Sequence, residues 1–397
     1  MIRADTFLPV SAPAPIPPAG PLDGLLVADF SRVLAGPYAA MTLGDLGAEV
    51  IKVERPGAGD DTRAWSPPEV DGTSTYYLGL NRNKRSMTLD LTEPADQRLA
   101  VRLAERSDVL IENFRPGTLD RYGLGYDDLR GTNRGLIYCS ITGFGETPAA
   151  VDLPGYDLLV QAASGLMSIT GEPDGQPLKV GVALVDHICA LHATIGVLAA
   201  LHHRTQTGNG QRVSVSLMGA ALAALLNQAS GYIGAGVVPG RLGNRHPSVA
   251  PYQTFPTADG HLVIACGNDR QFAAICRELD LATLANDERF ATNATRIRNL
   301  DALDEALTAR LLSNTRDHWV AAFTAAGVPA GPINDIAQAF AHAARIGMTA
   351  VVETPTAAGS TVRTVANPVG LSASPARVRL PPPGLGEHDA ELRAWLA

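Results

Sequence analysis

The stretch 24–54 constrains the fold more than any other. It reads as an apolar strand, "GLLVADFS" (24–31), a short helix, "AAMTLGDLGA" (39–48), and a second strand, "EVIKVE" (49–54). Strand, helix and strand within about thirty residues is the size of a right-handed parallel crossover. Further strands near 87–91, 109–112 and 135–140, with a helical stretch at 94–106, continue the alternation. Such a pattern predicts an α/β fold built on a mainly parallel sheet. The first turn narrows the choice. A dinucleotide-binding crossover carries GxGxxG there and an acidic residue closing the second strand. Glu54 stands at that end, but the turn reads "SRVLAGPYAA", with Gly36 as its one glycine. The nicotinamide reading loses its main support.

A second feature is the apolar run "VALVDHICALHATIGVLAAL" (182–201), which holds one carboxylate, Asp186. Burying an ionised carboxyl without partners is costly, or forces a proton onto it. Two explanations stand. Residues 187–203 have helical spacing, so Asp186 could accept the first free amide hydrogens as a cap. Alternatively, a carboxylate kept ionised at a helix N-terminus is a nucleophile. The two roles are compatible. Beyond this run come a strand, "RVSVSL" (212–217), and an apolar helix expected from 218 to 233. A glycine- and proline-rich stretch follows at 234–251. A second unit opens with a strand at 261–267 and continues with helical patterns near 270–278, 300–312 and 318–326, before a strand-like "TAVVET" (349–354). The chain is therefore divided into a proline-rich leader (1–20), a large domain (21–233), a linker and small domain (234–345), and a segment returning to the large domain (346–397).

Hydrophobic residues at 46% and charged residues at 18% exclude disorder over most of the 397 residues. The net charge of −8 argues against a nucleic-acid or anionic-membrane partner. The leader has no apolar core of the signal-peptide kind, and the apolar run, broken by His192 and ending at "HHR", is expected to fall short of a membrane span. Cys139, Cys189, Cys266 and Cys276 lack CxxC spacing, and the histidines form no HExxH pattern. Buried free thiols in a reducing cytoplasm, and no metal, are expected.

Six segments, in order, carry a resemblance: "PLDGLLVADFSRVLAGPYAAMTLGDLGAEVIKVERPGAGDDTR", "NRNKRSMTLDL", "ENFRPGTLDRYGLGYDDL", "SITGFGE", "PGYDLLVQAASGLMSITGE" and "VALVDHICALHA". From Pro21 onward the chain resembles the class III coenzyme A transferases of the CaiB/BaiF type, relatives of formyl-CoA transferase, carnitine CoA-transferase and α-methylacyl-CoA racemase. The resemblance implies a large Rossmann-like domain, a smaller α+β domain and an interlocked, ring-like homodimer. It implies that Asp186 is the nucleophile and that Tyr156, in "GYD", is its catalytic companion. Contacts to CoA would come from Val33, Ala35, Arg55, Leu89, Asn113, Phe114 and Arg121. Taken alone, Arg55 reads as a strand-end charge, Arg121 as a partner of Asp120 or Asp127, and Phe114 as core.

The activity implied is transfer of CoA from a donor acyl-CoA to an acceptor carboxylic acid through a covalent aspartyl intermediate. Coenzyme A and acyl-CoA enter as substrates, and no tightly bound cofactor is expected. Two alternatives accompany it. One is an α-methylacyl-CoA racemase, which needs an acid/base pair; Tyr156 stands where that branch has a histidine, and a phenol with a pKa near 10 is a poor base. The other is a CoA-binding protein without turnover.

Overall fold

The structure, a computed structural model, describes residues 20–356 and 359–397. Apart from Gly20, the proline-rich leader lies outside the described residues. Two compact units divide the rest: 20–166, 180–237 and 349–397 make the first, and 167–179 with 238–348 make the second.

The first unit is built on six strands: β1 (Leu26–Asp29), β2 (Glu49–Glu54), β3 (Arg85–Thr88), β4 (Val109–Glu112), β5 (Ile137–Thr142) and β6 (Arg212–Ser216). They form one sheet in the order β3-β2-β1-β4-β5-β6, with every neighbouring pair parallel. That is the doubly wound order of Rossmann sheets, in which the chain starts at the centre and builds outward in both directions. Successive residues face opposite layers. Val27, Val50, Val109 and Ile137 pack with the helices α1 (Ala35–Asp45) and α4 (Leu184–Thr207). Ala28, Ile51, Leu110 and Tyr138 pack with α2 (Pro94–Arg106) and with the C-terminal helix, Asp389–Leu396. Burial on both faces explains why β1, β2 and β4 read as nearly continuous apolar runs.

Three more helices belong to this unit: α3 (Asp157–Ala163), α5 (Leu217–Ala224) and α6 (Leu226–Ala235). The single helix expected over 218–233 is two, because the backbone turns at Leu226, whose φ is +45°. No glycine or proline marks that break, so the apolar pattern could not reveal it. The run expected to fall short of a membrane span, apart from its first two residues, lies within α4, whose 24 residues are long and apolar enough to cross one. One face of α4, with Cys189, Ala193, Val197 and Ala200, is packed into the core.

The outer side of β3 is closed by the C-terminal segment. Asn83 N–H donates to the Leu380 carbonyl (3.0 Å), and His388 N–H to that of Ser86 (3.0 Å). Ser86 N–H donates to His388 Nδ1 (3.2 Å) and Thr88 N–H to Asp389 Oδ1 (2.6 Å). An edge strand left bare would offer these groups to another chain.

In the second unit, strands β7 (Tyr252–Thr257), β8 (Gly260–Ala265) and β9 (Ala330–Pro332) pair antiparallel in the order β9-β8-β7. Helices α7 (Asp269–Glu278), α8 (Leu300–Leu311) and α9 (Arg316–Ala325) cover an apolar core of Phe255, Ile264, Phe272, Leu307 and Phe323. All four cysteines are free and buried.

Candidate active site

In doubly wound sheets the chain order reverses between the two central strands, and a crevice opens beyond their carboxyl ends. Here those strands are β1 and β4. A cavity of about 220 Å³ lies there, lined by residues 32–35 after β1, Asp61, 113–116 after β4, 141–145 at the end of β5, 150–151, 153–156, Asp186 and Leu217.

The turn after β1 is strained. Val33 has φ +70°, a region that β-branched residues rarely occupy and that costs about 1–3 kcal/mol. The surroundings hold it there. Asn113 brackets the preceding residue, accepting Arg32 N–H at Oδ1 (2.8 Å) and donating from Nδ2 to its carbonyl (2.7 Å). Val33 N–H donates to Asp60 Oδ1 (3.3 Å). Lys52 Nζ donates to Asp60 Oδ2 (2.8 Å) and to the Ser31 carbonyl (3.0 Å). Lys84 Nζ donates to Asp29 (2.8 Å), to Asn81 (2.9 Å) and to the Pro37 carbonyl (2.9 Å) in the first turn of α1. Gly36 is needed because a Cβ there would lie 2.2 Å from the Ser31 side chain.

Both lysine–aspartate pairs are wholly buried. Burial alone would raise Asp60, but the Lys52 charge and hydrogen bonds from Lys52 and Thr62 bring it down to about 2. Burial lowers Lys84 to about 8 against the pull of Asp29. Sequence reasoning missed this network. Its signal was a lysine inside the apolar strand "EVIKVE" and another beside "SMTL", positions where a lone charge would be too costly to bury.

Asp186 is the third residue of α4, and its carboxyl does not cap the helix. Asp157 does so, accepting Val185 N–H (2.8 Å) and Asp186 N–H (3.1 Å) at Oδ1. The capping role expected for Asp186 is therefore corrected: a residue at that position is already inside the helix. Burial, then the neighbouring Asp157 charge, pushes the Asp186 carboxyl up to about 7. At neutral pH it is shared between acid and carboxylate rather than fully ionised. Tyr156, immediately before α3, lines the same cavity and is 64% exposed. Its loop lies close to the one after β5, since a Cβ on Gly155 would sit 2.5 Å from Gly143 Cα.

A second cavity, of about 350 Å³, includes Arg55, Leu89, Phe114, Leu119 and Tyr122 and shares Arg32 and Phe114 with the first. The anticipated residues thus fall into two groups. Val33, Ala35, Asn113, Phe114, Tyr156 and Asp186 line the first cavity; Arg55, Leu89 and again Phe114 line the second. Arg121 lines neither; it is exposed on the turn Leu119–Tyr122. Among the described residues it pairs with neither Asp120 nor Asp127, and Asp127 pairs with Arg130 (3.1 Å). Arg55 is paired with Asp61. Phe114 is only partly buried, with the Arg32 guanidinium 4.9 Å from its ring centre. Glu112, the last residue of β4, accepts Phe114 N–H (2.9 Å) and the Ser140 hydroxyl; burial pushes its carboxyl up to about 7.

Comparison with known proteins gives this geometry its context. The model of CoA-transferase family III matches residues 22–389. A succinate–glutarate CoA-transferase of Agrobacterium fabrum is 45% identical over 383 residues, covering 95% of this chain and 96% of that protein. A succinyl-CoA:glutarate CoA-transferase of Mus musculus is 42% identical over 374 residues, covering 94% and 85%. The crystal structure of a CAIB/BAIF family protein from Brucella suis superimposes with a TM-score of 0.84 at 44% identity, covering 96% of this chain and all of that one. With a family model spanning nearly its whole length and relatives of this likeness, the chain belongs to CoA-transferase family III and is a CoA-transferase.

Proposed function

We propose that the enzyme passes CoA from a donor acyl-CoA to an acceptor carboxylic acid through a covalent intermediate on Asp186, and that donor and acceptor are short dicarboxylic acids. The observation that carries the mechanism is the Asp186 carboxylate lining the cavity at the carboxyl ends of the sheet, where burial raises its pKa. The substrate class follows from relatives named for succinate and glutarate.

In the first step an Asp186 oxygen attacks the thioester carbonyl, the C–S bond breaks, and CoA leaves as thiolate; a mixed anhydride remains. The thiolate attacks the aspartyl carbonyl, forming an aspartyl-CoA thioester and freeing the donor acid. The acceptor carboxylate then attacks that thioester, re-forming an anhydride and expelling the thiolate. Attack of the thiolate on the acceptor acyl carbon yields the new acyl-CoA and restores Asp186. The thioester is conserved throughout, provided water is kept from the anhydride. Val33, Ala35, Arg55, Leu89, Asn113, Phe114 and Arg121 are assigned to CoA. Arg55 and Arg121 suit phosphates through forked hydrogen bonds. Asn113 acts by holding the strained turn, and Tyr156 offers its hydroxyl to the reacting acyl group.

The reading includes a homodimer. Its support is a set of exposed apolar side chains on the first unit: Leu191 and Ile195 on α4, and Leu222, Leu226 and Ile233 on α5 and α6. Interlocking of the two rings rests on the family resemblance, and a reducing cytoplasm suits the free thiols.

Incubation with succinyl-CoA, trapping with hydroxylamine and mass spectrometry test the mechanism. A hydroxamate on Asp186 is expected. Deuterium uptake at the α-carbon without an acceptor acid, with no adduct, would replace transfer by racemisation. Elution as a monomer at micromolar concentration would remove the dimer.

A further inference from the structure

Asp157 stands next to Tyr156 but faces the start of α4. Its Oδ1 takes the amide hydrogens of Val185 and Asp186. Its Oδ2 accepts from Gln161 Nε2 (2.5 Å), and the buried Gln161 in turn accepts Val180 N–H at Oε1 (2.9 Å). Thus α3 is tied to the segment that leads into α4, and the tie ends on the backbone of Asp186 itself.

The free amides at a helix start are ordinarily what holds a nearby carboxylate ionised. Here two of them are already bonded to Asp157. The remaining surroundings of Asp186 supply little compensation. His187 packs its ring edge-on against Tyr38 at 4.6 Å. Tyr76 and Cys189 are neutral, burial pushing each up to about 12. Arg32 and Arg115 line the same cavity, with Asp61 beside Arg32 (3.7 Å).

We propose that Asp157 is a positioning residue for the nucleophile: it fixes the first turn of α4 with the amides that would otherwise stabilise the Asp186 carboxylate. Asp186 is left more basic and a stronger nucleophile. This deepens the transfer mechanism and rests on Asp186 being the attacking group. The direction of the Asp186 shift agrees, with the Asp157 charge its second cause after burial. A carboxylate whose pKa lies near the working pH combines available charge with reactivity. A fully stabilised one would be ionised but sluggish.

The test compares wild type, Asp157→Asn, Asp157→Ala and Asp186→Asn for kcat and KM with succinyl-CoA and glutarate across pH 5–9. The asparagine keeps an oxygen for both amides and removes the charge. Its acidic limb in kcat/KM is expected to move down by about one pH unit, with kcat on the alkaline plateau reduced roughly threefold to tenfold and KM nearly unchanged. The alanine variant, which also loses the tie, is expected to lose more kcat. If Asp157→Asn does not fold, Asp157→Ser supplies a neutral acceptor and is read in the same way. An unshifted acidic limb, or an alanine variant with wild-type kcat, overturns the proposal. A purely structural role would lower stability and leave the limb in place. Asp186→Asn separates the two ideas: turnover in that variant removes the nucleophile itself, whereas its inactivity beside an unshifted Asp157→Asn profile removes only the role given to Asp157.

Discussion

The two units bury charge differently. The first encloses two complete lysine–aspartate pairs, Lys52 with Asp60 and Lys84 with Asp29, with no exposure at any of the four side chains. Among the described residues of the second unit, Arg296 is the one fully buried charge. Its donors go to the Ala250 carbonyl (2.7 Å), the Phe290 carbonyl (2.9 Å) and Asp269 (2.6 Å), whose carboxylate is 64% exposed. Elsewhere that core is apolar. Buried ion pairs are weak sources of stability, because desolvation offsets most of their attraction. Their place in the first unit follows from what they hold: the strained turn at Val33 and the start of α1, both on the cavity. Charge is buried where backbone has to be kept in a conformation it would not choose.

The largest effect should come from Asp186, whose surroundings among the described residues raise its pKa through burial and the Asp157 charge. Asp186→Asn is expected to lower transfer on the order of 10⁴-fold or more, read as loss of acyl-CoA exchange. The same variant should be the more stable protein above neutrality. With its carboxyl pushed up to about 7, the folded state binds that proton more tightly than the unfolded chain does. Wild-type stability therefore falls as pH rises from about 4 through 7, and the amide avoids a loss of about 1–3 kcal/mol, measurable by urea unfolding at pH 8.

Next comes Lys52→Met, which strands Asp60 and should cost about 3–5 kcal/mol at neutral pH, with part regained in acid as Asp60 takes up a proton. The double change Lys52→Met with Asp60→Leu should recover most of that stability and still show a raised KM for acyl-CoA, because Val33 N–H then loses its acceptor and Asn113 alone brackets the turn. Recovery of both would mean that the pairs serve packing alone. In the second unit, Leu307→Ala should cost about 2–5 kcal/mol by leaving a cavity, with no dependence on pH between 5 and 9. A pH-dependent loss there would break the contrast. The smallest effect is at the surface. Arg55→Ala should raise KM for acyl-CoA about fivefold, since its side chain is half exposed and already paired with Asp61.

Much of the sheet was legible because its central strands are short apolar runs set between helices. β2, β4 and α2 lie where the pattern put them. Helix α1 starts four residues earlier than expected, at Ala35, because Gly36 and Pro37 read as turn residues. In fact proline is tolerated in a first helical turn, and glycine is what lets that turn approach Ser31. At the site, motifs brought Asp186 and Tyr156 to notice, and both line one cavity. The partner that caps α4 was not legible: Asp157 is 29 residues from Asp186, and one-dimensional spacing carries no sign of such a contact. The same holds for Lys84 and Asp29, which are 55 residues apart.

The closure of β3 by residues beyond 376 has a consequence for synthesis. On the ribosome, β3 emerges long before the segment that will cover it, with the whole second unit translated in between. Until then the nascent sheet presents an open margin whose proper occupant does not yet exist. Chaperone engagement during translation should accordingly be concentrated in that interval and end once the tail is released.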